Sequence, residues 1–107
     1  MLSIRYTELA ETDLFNIYIY TYQTWGASQA QSYTNTLKIA IARIAEKPTF
    51  PGTVDRSSVY PGCRSYRVKS HLIFYRPVED ALEILRILHI NMDISSRLAE
   101  TLEEEES

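Results

Sequence analysis

At 107 residues, 45% of them hydrophobic and 23% charged, the chain is sized for one domain around one core. Three glycines and four prolines argue against disordered and collagen-like classes. A lone cysteine, Cys63, can neither close an internal disulfide nor supply metal-ligand spacing. No apolar run approaches the ~20 residues of a membrane helix, and no apolar leader precedes Asp13. A soluble protein in a reducing, cytoplasmic setting is expected.

The net charge of −3 is unevenly distributed. Glu100 to Ser107 holds five of the 14 acids, leaving nine acids against 11 bases in the body. Between Arg56 and His89 six bases face three acids. This basic excess is weak for a chain that holds nucleic acid through phosphate contacts, so no direct, specific nucleic-acid binding is expected.

Leu2, Ile4 and Tyr6 alternate with Ser3 and Arg5, the pattern of a short strand with one buried face. Thr7 is placed to cap a helix whose first turn carries Glu8 and Glu11. Its apolar stripe runs Ala10, Leu14, Ile17, Tyr18, Thr21, Trp25, and Gly26 stops it. Ser28 and Gln31 have capping-box spacing for a second helix, with the stripe Ala30, Tyr33, Leu37, Ile41, Ile44. That helix ends near Lys47, before Pro48, and the short link through Gly26 makes an antiparallel helix hairpin.

Residues 48 to 62, punctuated by Pro48, Pro51-Gly52 and Pro61-Gly62, read as a loop. Three strand-like runs follow, Arg64 to Lys69, Leu72 to Val78 and Leu82 to Ile90. Short joins at Lys69-Ser70-His71 and Glu79-Asp80 make them an antiparallel meander. Asp93 caps a last helix carrying Ile94, Leu98 and Leu102. The carboxylates Glu103 to Glu106 oppose its dipole, so the tail from about residue 100 to Ser107 is expected to be disordered.

The fold class is α+β: an N-terminal strand, a helix hairpin packed on a meander, and a short C-terminal helix. Leu82, Ile84 and Leu88 are expected on one face of the last strand, Leu85 and Ile87 on the other. In the strand before it, Leu72 and Phe74 oppose Ile73 and Tyr75. Both sheet faces are therefore apolar, unlike an antiparallel sheet with one wet face. The hairpin covers one face. The other falls to the C-terminal helix or to a partner, since an exposed apolar patch of that size marks an interface.

Six segments in this order carry a family resemblance. They are Ala10-x-x-Asp13-Leu14-x-x-Ile17, Trp25-Gly26-x-x-Gln29-Ala30-x-x-Tyr33, Pro48 after the second helix, Gly62-x-Arg64, His71-x-Ile73-Phe74-Tyr75-Arg76, and Ile84-x-Arg86-Ile87-Leu88-His89-x-x-Met92-Asp93. Over roughly Leu2 to Leu98 the chain resembles the RelE/ParE toxins of bacterial toxin–antitoxin systems, most closely the ParE branch. The resemblance implies a toxin associated with plasmid maintenance and neutralised by a ParD-like antitoxin, whose ribbon-helix-helix region makes the DNA contact. It implies DNA gyrase as target, against ribosome-dependent mRNA cleavage in the RelE branch; fold alone does not separate the two.

RNA cleavage by the substrate's own 2′-OH needs a base, an acid and cations at the phosphorane. His71 and His89 are the titratable candidates, Arg64, Arg67 and Arg86 the phosphate-binding ones, and Tyr75 a positioning group. Each also has a structural reading. His89 can hydrogen-bond the turn before Met92-Asp93, and His71 sits in a hairpin turn, solvated. Arg86, flanked by apolar neighbours, can pair with Asp93 or Asp13. The acidic balance and the Met92-Asp93 ending depart from the nuclease pattern. No catalytic set, metal site or cofactor is assigned. The contact candidates for target or antitoxin are Arg64, Arg67, Lys69, His71, Tyr75, Arg76 and Tyr20. Arg86, His89, Met92 and Asp93 are assigned to the structural motif, and Cys63 to packing.

Overall fold

Thr7 joins the first strand to the first helix. In the computed structural model, which describes residues 1–106, β1 (Ser3–Tyr6) runs into α1 (Glu8–Trp25). The Thr7 hydroxyl accepts from the Ala10 N–H at 3.0 Å and donates to the Leu85 carbonyl at 2.8 Å. The cap that starts the helix thus also anchors it to the far end of the chain. Gly26, at φ 94°, takes a left-handed conformation that costs a glycine little, and α2 (Ala27–Glu46) begins on the next residue. The Ser28–Gln31 capping box does not form: Gly26 occupies the N-cap position and no side chain caps α2. With one residue between the helices, Ser28 already lies inside the first turn.

The segment read as a loop contains a two-residue strand, β2 (Val54–Asp55), too short to show alternation; it pairs antiparallel with β3 (Arg64–Val68). β4 (His71–Val78) and β5 (Ala81–His89) complete the meander, and α3 (Ile94–Glu106) follows. The sheet has five strands in the order β1-β5-β4-β3-β2. β1 lies parallel to β5, so the sheet is mixed. The helix hairpin supplies the crossover that a parallel pair requires.

A β-bulge sets the two faces of β5. Phe74 pairs with Arg86 and Tyr75 with Ile84, so Leu85 is an extra residue, and beyond it the inward and outward positions exchange. Ile84 and Ile87 pack in the core under the hairpin, with Leu37, Ile41 and Ile73. Leu85 and Leu88 pack in a second core with Tyr60, Leu72, Phe74 and Leu98. Leu88 and Ile87 therefore each lie opposite to the face expected from simple alternation: Ile87 joins Leu82 and Ile84, and Leu88 joins Leu85.

α3 is the cover of that second face, so the chain seals both sides of its own sheet. Asp93 Oδ1 accepts from the Ser96 N–H at 3.2 Å and caps the helix. Leu98 and Thr101 are fully buried beneath it. The tail does not leave the fold at residue 100, because Thr101 is part of this packing and the helix continues to Glu106; Ser107 lies outside the described residues. Cys63, fully buried in the same core, has its thiol pushed up to about 12 by burial, which suits a packing residue.

If α3 is integral to the fold, Leu98→Ala should cost about 2–5 kcal/mol of unfolding free energy, the range for buried leucine truncation. Urea titration of the full chain measures it; a loss below ~0.5 kcal/mol, as at a surface position, would show α3 to be only loosely docked.

Candidate functional site

Beyond the end of β1, the cap residue Thr7 and a side chain of α1 take over the open edge of β5. The Thr7 N–H donates to Ile84 O at 3.1 Å, and the Ile87 N–H donates to Asp13 Oδ2 at 3.0 Å. Arg86, 4% exposed, grips the same carboxylate with two hydrogen bonds, Nε to Oδ2 at 2.7 Å and Nη2 to Oδ1 at 2.9 Å. Its Nη1 reaches the Arg97 carbonyl at 3.3 Å and the Thr101 hydroxyl at 3.4 Å on α3. Asp13 is thus the chosen partner, not Asp93. The hydrogen bonds that Arg86 donates to Asp13 hold its pKa above the usual guanidinium value against the opposing effect of burial.

Next to this node the hairpin overhangs the sheet and leaves a groove of about 770 Å³. Ile17, Tyr33 and Ile87 line it, with Tyr20, Trp25 and Met92 beside them. Trp25 is 71% exposed, Tyr20 68% and Met92 44%, an unusual concentration of accessible apolar surface for one site.

The cross-strand pair His71–His89 closes the groove at the sheet. Their rings meet edge to face at 5.3 Å. Tyr33 Oη lies 2.5 Å from His71 Nδ1, and the Asn91 N–H donates to His89 Nδ1 at 3.1 Å. His71 is not the solvated turn residue expected. It opens β4 and is half-buried, and burial first, then His89, lowers its pKa to about 4, with Asp13 opposing. His89 does make the anticipated bond to its turn.

The other candidates scatter. Tyr20 lines the groove, and Lys69 places its ammonium 5.8 Å from the Tyr33 ring centre. Arg64 is held by the Thr53 hydroxyl at 2.9 Å. Tyr75 is fully buried with its hydroxyl on the Pro48 carbonyl, so it offers no surface to a partner. Arg76 pairs with Glu83 at 2.8 Å. Arg67 pairs in register with Leu72, on the side away from the hairpin core, and donates to the Lys69 carbonyl at 2.7 Å. Among the described residues, the groove lining contains no lysine or arginine, and no cluster of His, Cys, Asp and Glu is spaced for a metal. The arrangement brings two imidazoles together in a lining without lysine or arginine, with Lys69 at its border. It presents instead apolar and aromatic surface with hydrogen-bonding groups at its base.

Trp25, Gln29 and Tyr33 stand in the sequence as motif and stripe residues, not as contact candidates. Trp25 continues the buried stripe of α1 by periodicity. The usable signal was its place in the last turn before Gly26, where a helix can run past the sheet beneath it.

Removing one partner of the buried ion pair should cost far more than replacing both. Asp13→Ala is expected to lose about 3–5 kcal/mol, and Asp13→Leu combined with Arg86→Met to recover most of it; denaturant unfolding of the three proteins decides, and equal losses would reject the pair as described. The histidine adds a pH dependence. Its folded pKa of about 4 lies below the ordinary 6.5, so on acidification the unfolded chain binds the proton first. Its contribution is intact above pH ~6.5 and falls away as the pH drops toward ~4. The urea midpoint should therefore fall less between pH 7 and 5 in His71→Gln than in the native chain; equal falls would exclude His71 as the cause.

The ParE toxin family of type II toxin–antitoxin systems (parDE) matches residues 4–94. The chain is 40% identical over 100 residues to Toxin ParE of Escherichia coli, covering 90% of this chain and 92% of that one. It is 36% identical over 90 residues to Toxin ParE1 of Mycobacterium tuberculosis, at 83% and 90% coverage. It is 37% identical over 94 residues to Toxin ParE1 of Caulobacter vibrioides, at 88% and 95% coverage. Its fold matches a chain of the chromosomal ParDE system of P. aeruginosa with a TM-score of 0.70 at 22% identity, covering 83% of this chain and 96% of that one. A chain of the YoeB–YefM complex from Staphylococcus aureus matches with a TM-score of 0.55 at 17% identity, at 83% and 97% coverage. With a family model spanning residues 4–94, this chain belongs to the ParE toxins of type II toxin–antitoxin systems.

Proposed function

We propose that this toxin acts in the cytoplasm by binding protein, with DNA gyrase as its target, and that a ParD-like antitoxin silences it by occupying the groove between the hairpin and the sheet. The observation that carries this reading is the groove's composition. Exposed Trp25, Tyr20 and Met92 surround two imidazoles, and the nearest guanidinium, Arg86, is spent on Asp13. Aromatic anchors around a concave apolar surface are the usual means of holding another polypeptide. The antitoxin's DNA-binding region would then tether the toxin to its operator without contact between this chain and DNA. A role in plasmid maintenance follows if the pair is plasmid-borne.

The closeness of His71 and His89 at 5.3 Å favours one rival, ribosome-dependent mRNA cleavage. A non-toxic homologue that only binds its antitoxin is the third reading.

Purified toxin should inhibit gyrase supercoiling and leave mRNA intact in a translating extract. Induction without antitoxin should arrest growth with a DNA-damage response. Cleavage products lost on His89→Ala or Arg64→Ala would establish the nuclease instead, and unimpaired growth of cells holding folded protein would establish the non-toxic form.

A further inference from the structure

The tautomer of His89 defines what the groove asks of its occupant. The backbone N–H of Asn91 can only donate, so His89 Nδ1 is an acceptor and the ring hydrogen sits on Nε2. The Tyr33 hydroxyl donates to Val68 O at 3.3 Å and meets His71 Nδ1 at 2.5 Å, which ties His71 to the hairpin. The groove thus offers its occupant one defined imidazole donor, His89 Nε2–H.

Positive potential borders the groove at both ends. Lys69 lies over the Tyr33 ring, and no salt bridge to it occurs among the described residues. At the Trp25–Gln29 end, α2 starts without a side-chain cap, so its first N–H groups and the positive end of its dipole are open. The one carboxylate in the lining, Asp13, is already neutralised by Arg86 and the Ile87 N–H.

We propose that the groove is specific for an acidic apolar peptide segment, whose large aliphatic or aromatic side chain packs between Trp25, Tyr20 and Met92 and whose carboxylate accepts a hydrogen bond from His89 Nε2–H. This rests on the reading of the groove as the antitoxin's seat and names the chemistry that the seat selects. The carboxylate would complete a chain of hydrogen bonds from the Asn91 amide through the His89 ring. Such a bond to an ionised acceptor is roughly twice as strong as a neutral one.

The probe is a random peptide library displayed on phage and selected on the folded full-length chain. Enriched peptides should combine a large apolar residue with Asp or Glu, and their binding should be lost on Trp25→Ala. Replacing the peptide's acid by its amide should weaken binding about tenfold or more on the native chain. On His89→Leu the same replacement should change nothing, whereas His89→Gln, which keeps an N–H donor, should retain the preference. Trp25-dependent peptides with no need for an acid would overturn the carboxylate preference and leave the docking reading standing. Peptides indifferent to Trp25→Ala would overturn the docking reading itself. Should His89→Leu fail to fold, the acid-to-amide comparison on the native chain and on His89→Gln decides the matter.

Discussion

The Asp13 carboxylate is the point on which the rest of this structure turns. It accepts two hydrogen bonds from Arg86 and one from the Ile87 backbone, and through Arg86 it reaches the carbonyl of Arg97 and the hydroxyl of Thr101. Three elements, α1, β5 and α3, meet there. A guanidinium buried to this degree is tolerable only because nearly all its donors find oxygen. The arrangement joins both layers of helix to opposite sides of one strand, so neither layer can shift without disturbing a buried charge.

The bulge at Leu85 works with that node. By inserting one residue it turns Leu88 toward α3 and Ile87 toward the hairpin, and it leaves the Leu85 carbonyl to accept from Thr7. The hydrogen-bonding edge of β5 that would otherwise lie open past β1 is closed by Thr7 and Asp13. Because α1 is pinned at its N-terminal end, its C-terminal turn projects past the sheet. Trp25 is exposed there, and the groove is the space beneath.

The same geometry gives most of the cations near the sheet other partners. Arg86 holds the fold, Arg64 ties down the loop at Thr53, and Arg76 closes a surface ion pair with Glu83. Arg67 of β3, in register with Leu72 of β4, lies on the sheet face away from the hairpin core. The histidines meet only because the β4–β5 register sets them opposite each other. Charge stabilisation is usually the largest single contribution to such catalysis; among the described residues the groove lining holds no lysine or arginine, and Lys69 stands at its border over the Tyr33 ring.

The sequence by itself determined what depends on near neighbours. Thr7, Gly26, Pro48 and Asp93 mark helix ends because capping, left-handed φ and the missing N–H of proline act within a turn. The hairpin, the meander and the apolar character of both faces follow from periodicity, and the ordered motifs from Ala10 to Asp93 suffice for the family. Only the tertiary structure decided what depends on distant partners. That β1 joins β5 in parallel, that two residues at Val54 extend the sheet, and that Arg86 chooses Asp13 over Asp93 are all contacts across the chain. The phase change at Leu85 is invisible to alternation, since a bulge is defined by the opposite strand. Trp25 and Tyr75 show the limit most clearly. One continues a buried stripe and is exposed, the other looked available and is sealed, because burial is settled by where the neighbouring element ends, which no local pattern encodes.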